Sequence, residues 1–298
     1  MASLDKKNID QHALKEMNEK SGKAGLTIHR IICYLVLIFV TIISLLPFYL
    51  LLVNSTRAHA DIQKAFSMLP GKSFFINLMN VLEDKNTPVL QGMLNSFIVA
   101  GCTAGITVYF SSLTAYGVFA YNFKFKKLAH TFILLIMMVP TQVSALGFVN
   151  EMRAFNLIDT FIPLIIPAIA APVTYFFIIQ YMESSLPLEI VEAARIDGGN
   201  EFYNFNKIIL PIVKPAMAVQ AIFAFVGSWN NYFMPALILE KKKTLPILIA
   251  ALRSADYARF DMGKVYVLLA ITIFPLIIVY LFLSKFIIRG VALGGVKG

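Results

Sequence analysis

Long apolar stretches alternate with short polar segments along the 298 residues of this chain. A helix needs about 20 apolar residues to cross a bilayer, and six stretches reach that length. Charged side chains fall at or near the ends of these stretches rather than inside them. The pattern predicts an all-α polytopic membrane protein with six transmembrane helices. The predicted spans are residues 28–53, 93–120, 129–150, 161–182, 212–239 and 263–288.

Prolines lie within or beside several of these spans and indicate the shape of the helices. A proline removes a backbone donor and crowds the preceding turn, which membrane helices tolerate where neighbours satisfy the freed groups. We therefore expect kinked, closely packed helices. In the longest connection, residues 54–91, the segment 73–82 has an amphipathic pattern that predicts a helix lying along the outer membrane surface. The prolines are Pro47, Pro140, Pro163, Pro167, Pro172, Pro215, Pro235 and Pro275.

Composition supports the membrane setting. The chain is 58% hydrophobic and only 14% charged, whereas soluble domains carry about 25% charged residues. The formal net charge of +9 lies mostly in short connections, where membrane-surface electrostatics explains it better than nucleic-acid binding. Cys33 and Cys102 both lie in apolar segments and are expected to be packing residues rather than a disulfide or a metal pair.

Six spans place both chain termini on one side of the membrane. Lysines and an arginine cluster before and at the start of the first span, and such residues are enriched in cytoplasmic segments. The termini are therefore predicted to be cytoplasmic in a plasma or inner membrane, as tails over residues 1–27 and 289–298. The run Lys241-Lys242-Lys243 falls on the predicted outer side and weakens this asymmetry.

The most specific pattern lies in residues 184–211, which we call the motif loop, and reads E-A-A-x3-G-x9-I-x-L-P. Pro187 suits the first turn of a helix, the glycine pair at 198–199 suits its end, and Asn200 suits the cap of a second helix. We expect two short helices with a break between them, the second packing on the spans through Phe202, Phe205, Ile208 and Ile209. The positions of the motif are Glu192, Ala193, Ala194, Gly198, Ile208, Leu210 and Pro211.

This motif resembles the cytoplasmic coupling loop of type I ABC-importer permeases, which docks on a separate ATPase subunit. Further stretches resemble the carbohydrate-uptake branch of that family, similar to the six-span maltose-transporter permease, from about residue 28 to the end. They are LPFY at 46–49, NSTR at 54–57, SWNNY at 228–232 and RGVALGGVKG at 289–298. In the last stretch, Ala292 and Gly295 stand where the family usually has threonine and alanine.

The resemblance implies a type I ABC-importer permease fold in a non-catalytic subunit that binds no cofactor or metal itself. Such a subunit pairs with a second, homologous permease and rests on two ATPase subunits, which bind ATP and magnesium. It receives a sugar or oligosaccharide from an extracellular solute-binding protein. Ala193 and Ala194 would allow close approach to the ATPase, and Glu192 would offer it a charged acceptor. The glycine-rich tail would reach between the ATPase subunits through Arg289, Gly294 and Lys297.

Residues 229–232 combine the groups that a sugar path needs, since aromatic faces stack on sugar rings and amides match hydroxyls. Buried polar groups in a span are costly unless they are used or paired, and bonding between helices is the alternative explanation. The first candidates for the substrate path are Trp229, Asn230, Asn231 and Tyr232. Secondary candidates, for which helix-to-helix bonding is favoured, are Asn95, Ser111, Ser112, Thr114, Tyr116, Gln142 and Ser144.

Other functions fit the sequence less well. Ion-coupled carriers place acidic side chains inside spans, whereas here they lie outside span interiors. The sequence shows no metal-ligand spacing or nucleophile motif that would indicate an enzyme. Gly71-Lys72-Ser73 imitates the end of a phosphate loop, but Phe66 stands where that loop needs its first glycine. The nearest alternative is a type I ABC-importer permease for another small polar solute, because the coupling loop is common to the whole class.

Overall fold

The computed structural model describes residues 30–254 and 260–294, with side chains as far as Phe286. Every regular element within those ranges is helical, so the predicted all-α fold is confirmed. Several helices begin at or next to a proline, whose fixed φ suits the first turn. The helices are α1 Arg30–Ser55, α2 His59–Lys64, α3 Phe74–Leu82, α4 Val89–Ala120, α5 Lys126–Ile136, α6 Thr141–Ala154, α7 Ile162–Ile165, α8 Pro172–Ser185, α9 Leu188–Ile196, α10 Glu201–Asn204, α11 Leu210–Trp229, α12 Phe233–Ile238, α13 Leu245–Arg253 and α14 Met262–Gly294.

Five helical segments in the described ranges are long and apolar enough to cross a membrane, and the number is six when the bent helix pair α5 and α6 is counted as one span. The segment for the fourth predicted span includes a 3₁₀ turn, Ile166–Ile169, which contains Pro167 and precedes α8. The five segments are Arg30–Ser55, Val89–Ala120, Ile162–Ser185, Glu201–Trp229 and Met262–Phe286.

The third predicted span, residues 129–150, is wrong as a single helix. α5 ends at Ile136, α6 begins at Thr141, and the two helices are bent by 94°. Pro140 explains the break, because its nitrogen has no hydrogen to donate and its ring disfavours a helical conformation in the residue before it. The apolar pattern continues across this turn, so hydropathy alone does not reveal the change of direction.

The fifth predicted span, residues 212–239, is also placed differently. Its helical segment begins at Glu201, inside the motif loop, and ends at Trp229. A π turn, Phe205–Ile209, joins α10 to α11 without a break, and residues 230–232 then interrupt the helix before α12. The second helix of the motif loop and the fifth membrane helix are therefore one continuous element.

The core of the bundle lies along α4, which packs against both α8 and α11. One buried cluster connects α4 and α8 with the motif loop through Leu186, Val191 and Phe205. A second cluster connects α4 and the far end of α11 with α13 and α14, around Trp229 and Leu245. Between helices in a bilayer such contacts stabilise through close van der Waals packing rather than through removal of apolar surface from water. The motif loop is thus held by the same core as the membrane helices.

The first helix is the least covered of the five membrane-spanning segments. Its 18-residue apolar window has a mean hydropathy of 2.8 but is only 6% buried, whereas the corresponding window of α4 is 39% buried. An apolar helix exposed on nearly all sides needs lipid or another protein around it. At the other end of the chain α14 continues to Gly294, so Arg289 and Gly294 of the predicted tail are helical. Residues 1–27 and Lys297 of the predicted tails lie outside the described ranges.

At the end of the bundle away from the motif loop, which we call the opposite face, α3 packs against α14 and α4. Asn77 in α3 is buried, and its Nδ2 donates to the carbonyl oxygens of Ser55 at 3.0 Å and Arg57 at 2.9 Å. Gly263 packs against this amide, and a Cβ there would lie 2.6 Å from the Asn77 Oδ1. The other side of α3 exposes Phe75, in agreement with the predicted surface helix.

A single carboxylate joins two connections on the opposite face. The Oδ1 of Asp159 accepts hydrogen bonds from the backbone N–H groups of Glu240, Lys241 and Lys242 at 3.1, 2.9 and 3.0 Å. Asp159 has a φ of 60°, and its own N–H donates to the Ile238 carbonyl at 2.9 Å. These backbone donors, first that of Lys242, hold the pKa of the carboxyl below its ordinary value. The lysine run therefore wraps an acceptor supplied by the α6–α7 connection.

Candidate functional site

The motif loop begins with α9, which has one outward and one inward face. The helix starts directly after Pro187. Val191 and Ala194 lie three residues apart on the inward face and are buried. Glu192 and Ala193 are exposed. The small size of Ala194 therefore serves packing within the loop, which corrects its predicted place in the docking surface, whereas Glu192 and Ala193 are accessible to a partner.

The break between the two helices is where the glycine pair places it. Gly198 has a φ of +79°, the left-handed conformation that glycine adopts at low cost. Gly199 packs against the side chain of Asn204, whose Nδ2 donates to the Gly199 carbonyl at 3.0 Å. Asn200 then caps the second helix by accepting the Tyr203 N–H at 2.7 Å. The predicted break and cap are both present.

The second helix is rooted in the core by its π turn. Phe205 and Ile209 are fully buried, while Ile208 and Leu210 pack on the edge of the same cluster. The N–H of Leu210 bonds the Phe205 carbonyl, five residues earlier. Pro211 follows directly and has no backbone N–H to donate. The π turn therefore lies directly before the residue at which the helix lacks a backbone hydrogen bond. The sequence analysis missed this π turn.

The motif loop also exposes large apolar side chains. Phe202 is 67% exposed, so its predicted packing against the spans is wrong. Ile196, at the end of α9, is 85% exposed. Large exposed apolar side chains are accessible to lipid or to another protein. The other exposed apolar residues of the loop are Leu188, Ile190 and Tyr203.

A charged network, not found from the sequence, bridges the break. The Arg195 Nε donates to the Glu201 Oε1 at 2.7 Å, and the Tyr116 hydroxyl in α4 donates to the Glu201 Oε2 at 2.9 Å. The Arg195 guanidinium lies over the Tyr121 ring, 4.8 Å from its centroid. The hydrogen bond to Glu201 raises the pKa of Arg195, and burial, followed by the Glu201 carboxylate, raises the pKa of Tyr121. Both groups therefore stay protonated at physiological pH.

The residues of the predicted sugar path lie at the end of α11 and divide between two surfaces, with Trp229, Asn230 and Tyr232 on one and Asn231 on the other. Trp229 is buried and stacks on Phe225, with ring centroids 5.6 Å apart and an interplanar angle of 18°. It closes the second core cluster at the end of α11. Asn230, Asn231 and Tyr232 follow this helix end and are exposed. The helix is interrupted at residues 230–232, whereas the sequence predicts one span through residue 239.

Two clefts flank this interruption. The first, of about 640 Å³, lies between α6, α7 and the α11–α12 link, and it brings Ser144 and Asn231 together with the acidic Glu151. The second, of about 470 Å³, lies between the end of α11, α13 and α14. Polar groups on apolar walls are typical of small-molecule sites. The second cleft is lined by Trp229, Asn230, Tyr232 and Arg253, among others.

Most of the secondary candidates are engaged in structural hydrogen bonds. The Asn95 Nδ2 donates to the Lys243 carbonyl at 2.9 Å, and the Ser111 hydroxyl donates to the Ala171 carbonyl at 3.3 Å. Ser112 and Thr114 bond carbonyls four residues earlier in α4, at 2.6 and 2.8 Å. These contacts agree with the alternative of bonding within and between helices, as does the Tyr116 contact with Glu201. Gln142 is exposed and is not part of either cleft wall.

The fold and the site together define a multi-pass membrane protein with a rooted, protruding helix at one end and polar clefts at the other. The chain belongs to the family described as binding-protein-dependent transport system inner membrane component, which residues 107–293 match. It is accordingly a non-catalytic, membrane-spanning permease subunit of an ABC importer.

Curated relatives cover nearly the whole chain. An arabinooligosaccharides transport system permease protein of Bacillus subtilis is 32% identical over 91% of this chain and 97% of its own length. A melibiose/raffinose/stachyose import permease protein of the same organism is 29% identical, covering 85% of this chain and 91% of the relative. An sn-glycerol-3-phosphate transport system permease protein of Yersinia pestis is 27% identical, covering 87% and 95%.

A solved structure shares the fold. It is titled as the crystal structure of a bacterial ABC transporter involved in the import of the acidic polysaccharide alginate. One of its chains matches with a TM-score of 0.74 and 22% identity, over 87% of this chain and 96% of that chain. The helical architecture described above is therefore that of a known ABC importer.

Proposed function

We propose that this chain is the transmembrane permease subunit of an ATP-driven importer of a sugar or oligosaccharide, and that it couples ATPase closure to alternating access. The observation that carries the proposal is the motif loop, in which Glu192 and Ala193 are exposed on a helix rooted in the core of the membrane helices. The sugars named for the two Bacillus relatives favour a carbohydrate as the solute.

Three kinds of partner protein complete the proposed importer. Two ATPase subunits, which hold ATP and magnesium, dock on the motif loop, with Glu192 as the acceptor for a donor on the ATPase. A second, homologous permease covers apolar surface of this chain, such as that of α1. An extracellular solute-binding protein delivers the sugar to the opposite face. The motif loop and both termini then lie in the cytoplasm, and Arg289, Gly294 and Lys297 extend toward the ATPases.

The proposed mechanism follows from the continuity of the fifth membrane helix. Closure of the ATPase pair displaces α9, and the helical segment Glu201–Trp229 transmits this displacement across the membrane. Trp229 at its far end lines one cleft, and Asn231, two residues beyond, lines the other. Rigid-body movement of packed helices can therefore open these clefts to one side or the other, and ATP hydrolysis resets the arrangement.

The relative that transports sn-glycerol-3-phosphate favours a second candidate, an importer for another small polar solute. Solute uptake by cells that lack this chain distinguishes a sugar importer from an importer of another polar solute. We would compare radiolabelled arabinotriose, raffinose and sn-glycerol-3-phosphate in the deletion strain, with and without the chain restored. Sugar uptake that depends on the chain supports the proposal. Dependence of glycerol phosphate uptake alone supports the second candidate and contradicts the first.

A further inference from the structure

Side chains from three helices meet where the motif loop joins the bundle. Arg195 lies in the last turn of α9, Glu201 is the first residue of α10, and Tyr116 lies near the end of α4. The Glu201 carboxylate accepts from both neighbours, at 2.7 Å from the Arg195 Nε and 2.9 Å from the Tyr116 hydroxyl. One carboxylate therefore connects the helix before the break, the helix after it, and a membrane helix.

The ion pair between Arg195 and Glu201 spans the break between α9 and α10. Gly198 lies between its two members, with a φ of +79° and no atom close enough to obstruct a side chain. Backbone at such a glycine can change direction easily. The pair between Arg195 and Glu201 spans this point and restrains the angle between α9 and α10. Each charge also suits the helix end on which it lies, a cation at a C-terminus and an anion at an N-terminus.

The contact to α4 extends this restraint into the membrane. Tyr116 is 3% exposed and belongs to the buried cluster that includes Phe205 of the π turn. The Tyr116 and Phe205 rings lie 5.6 Å apart. The second membrane helix thus contacts the root of the loop through packing and reaches its carboxylate through a hydrogen bond.

We propose that Arg195, Glu201 and Tyr116 form a positioning joint. The joint fixes the angle of α9, the proposed docking helix, and transmits the displacement of α9 to α4 as well as to α11. The inference rests on the proposed function, because it presumes that an ATPase moves α9. Without the joint, the docking helix pivots at Gly198. ATP is then hydrolysed while the membrane helices stay largely in place.

The test uses the complex captured through a tag on this chain and reconstituted in lipid vesicles. Asn231→Cys, in a background with Cys33→Ser and Cys102→Ser, reports movement at the far end of α11. The measured quantities are ATP hydrolysis and the change that MgATP with vanadate causes in the rate of labelling by a membrane-impermeant maleimide. The variants are Arg195→Ala, Glu201→Gln, Tyr116→Phe and the exchange Arg195→Glu with Glu201→Arg.

In Arg195→Ala the ATPase subunits are expected to co-purify and to hydrolyse ATP, while the ATP-dependent change in labelling falls roughly tenfold. Tyr116→Phe gives a smaller loss, and the charge exchange restores part of the response. Lys124→Ala is the matched control, since this exposed cation of the same face lies over the Phe125 ring rather than in the network.

Two results would contradict the proposed positioning role of these three residues. In the first, Arg195→Ala keeps the full response to ATP. In the second, the ATPase no longer binds to the variant and the charge exchange does not restore binding, which assigns the pair to folding or docking. If the unaltered chain itself purifies without an ATPase, the proposed function fails, and that outcome is visible before any variant is compared.

Discussion

Gly198 and Gly199 are neighbours in the motif loop but have different physical constraints. Gly198 needs a left-handed backbone and has open space around the position of a Cβ. Gly199 has no such φ, and a Cβ there would collide with the side chain of Asn204, which is 1% exposed. The sequence predicts the glycine pair as a helix end, but only the packing of Asn204 distinguishes the two positions.

We expect Gly199→Ala to destabilise the protein more than Gly198→Ala. The first change overpacks a buried site, at about 1–3 kcal/mol. The second costs about 1–2 kcal/mol for left-handed backbone, offset in part by the entropy that glycine loses on folding. Thermal unfolding in detergent measures both variants, with Gly198→Asn as the tolerated control. An equal or reversed order would show that the Asn204 contact does not constrain the loop.

Asp159 is a second position where one side chain determines local structure. Asp159→Ala removes an acceptor of three backbone N–H groups and leaves alanine in a left-handed conformation, at about 1–3 kcal/mol. Asp159→Asn keeps an acceptor oxygen and a residue that tolerates this φ, so it should cost much less. The measurement is the thermal midpoint of each purified variant in detergent.

The pH dependence of this effect has a definite sign. Because the folded-state pKa of Asp159 is lowered, its stabilisation is present above the ordinary value of 3.8 and is lost as the pH falls through the lowered pKa. The difference between the unaltered protein and Asp159→Ala should therefore be constant near neutral pH and narrow only below 3.8. A difference that already disappears near pH 6 would contradict the assignment.

At the scale of elements, hydropathy located the helices better than it located their ends and directions. The run at 129–150 contains a turn whose residues are themselves apolar, and the run at 212–239 contains a break at residues 230–232. Pro140 was a usable signal for the first. For the second, the signal was the polar pair Asn230-Asn231 directly after Trp229, at which α11 ends.

The motif loop was the most predictable element, because its break and cap depend on local residue chemistry. Gly198 and Asn200 act within a few residues of their positions in the sequence. The Arg195–Glu201–Tyr116 network was not predictable in the same way, since Tyr116 and Glu201 are 85 residues apart. Local motifs are therefore readable from one sequence, whereas contacts between distant helices need the fold.

The exposed position of Glu192 predicts that Glu192→Ala abolishes solute uptake while the protein still inserts in the membrane. The variant removes a charged acceptor from the outward face of α9, and no buried group is disturbed. Uptake and membrane content are measured in the same cells. Glu183→Ala removes an equal charge from an exposed position just before the motif loop and should leave uptake unchanged. Normal uptake by Glu192→Ala would show that the docking assignment is wrong.

For the whole molecule, the proposal places the motif loop in the cytoplasm and the lysine run outside. Single cysteines at Asp197 and Lys241, both exposed, test this in the background with Cys33→Ser and Cys102→Ser. An impermeant maleimide should label Asp197→Cys only in inside-out vesicles and Lys241→Cys only in right-side-out vesicles. The reverse pattern would place the motif loop away from any cytoplasmic ATPase.

The first helix has an apolar window that is only 6% buried, and the motif loop exposes a surface with large apolar side chains such as Ile196 and Phe202. The central claim is that an ATPase binds that surface. The most direct measurement is a detergent pull-down of the tagged chain from its native membrane, with identification of the co-purifying proteins by mass spectrometry. We expect an ATPase subunit and a second permease to co-purify with the chain, and the ATPase to be lost from the Glu192→Ala sample. Recovery of the chain alone, or only with copies of itself, would contradict it.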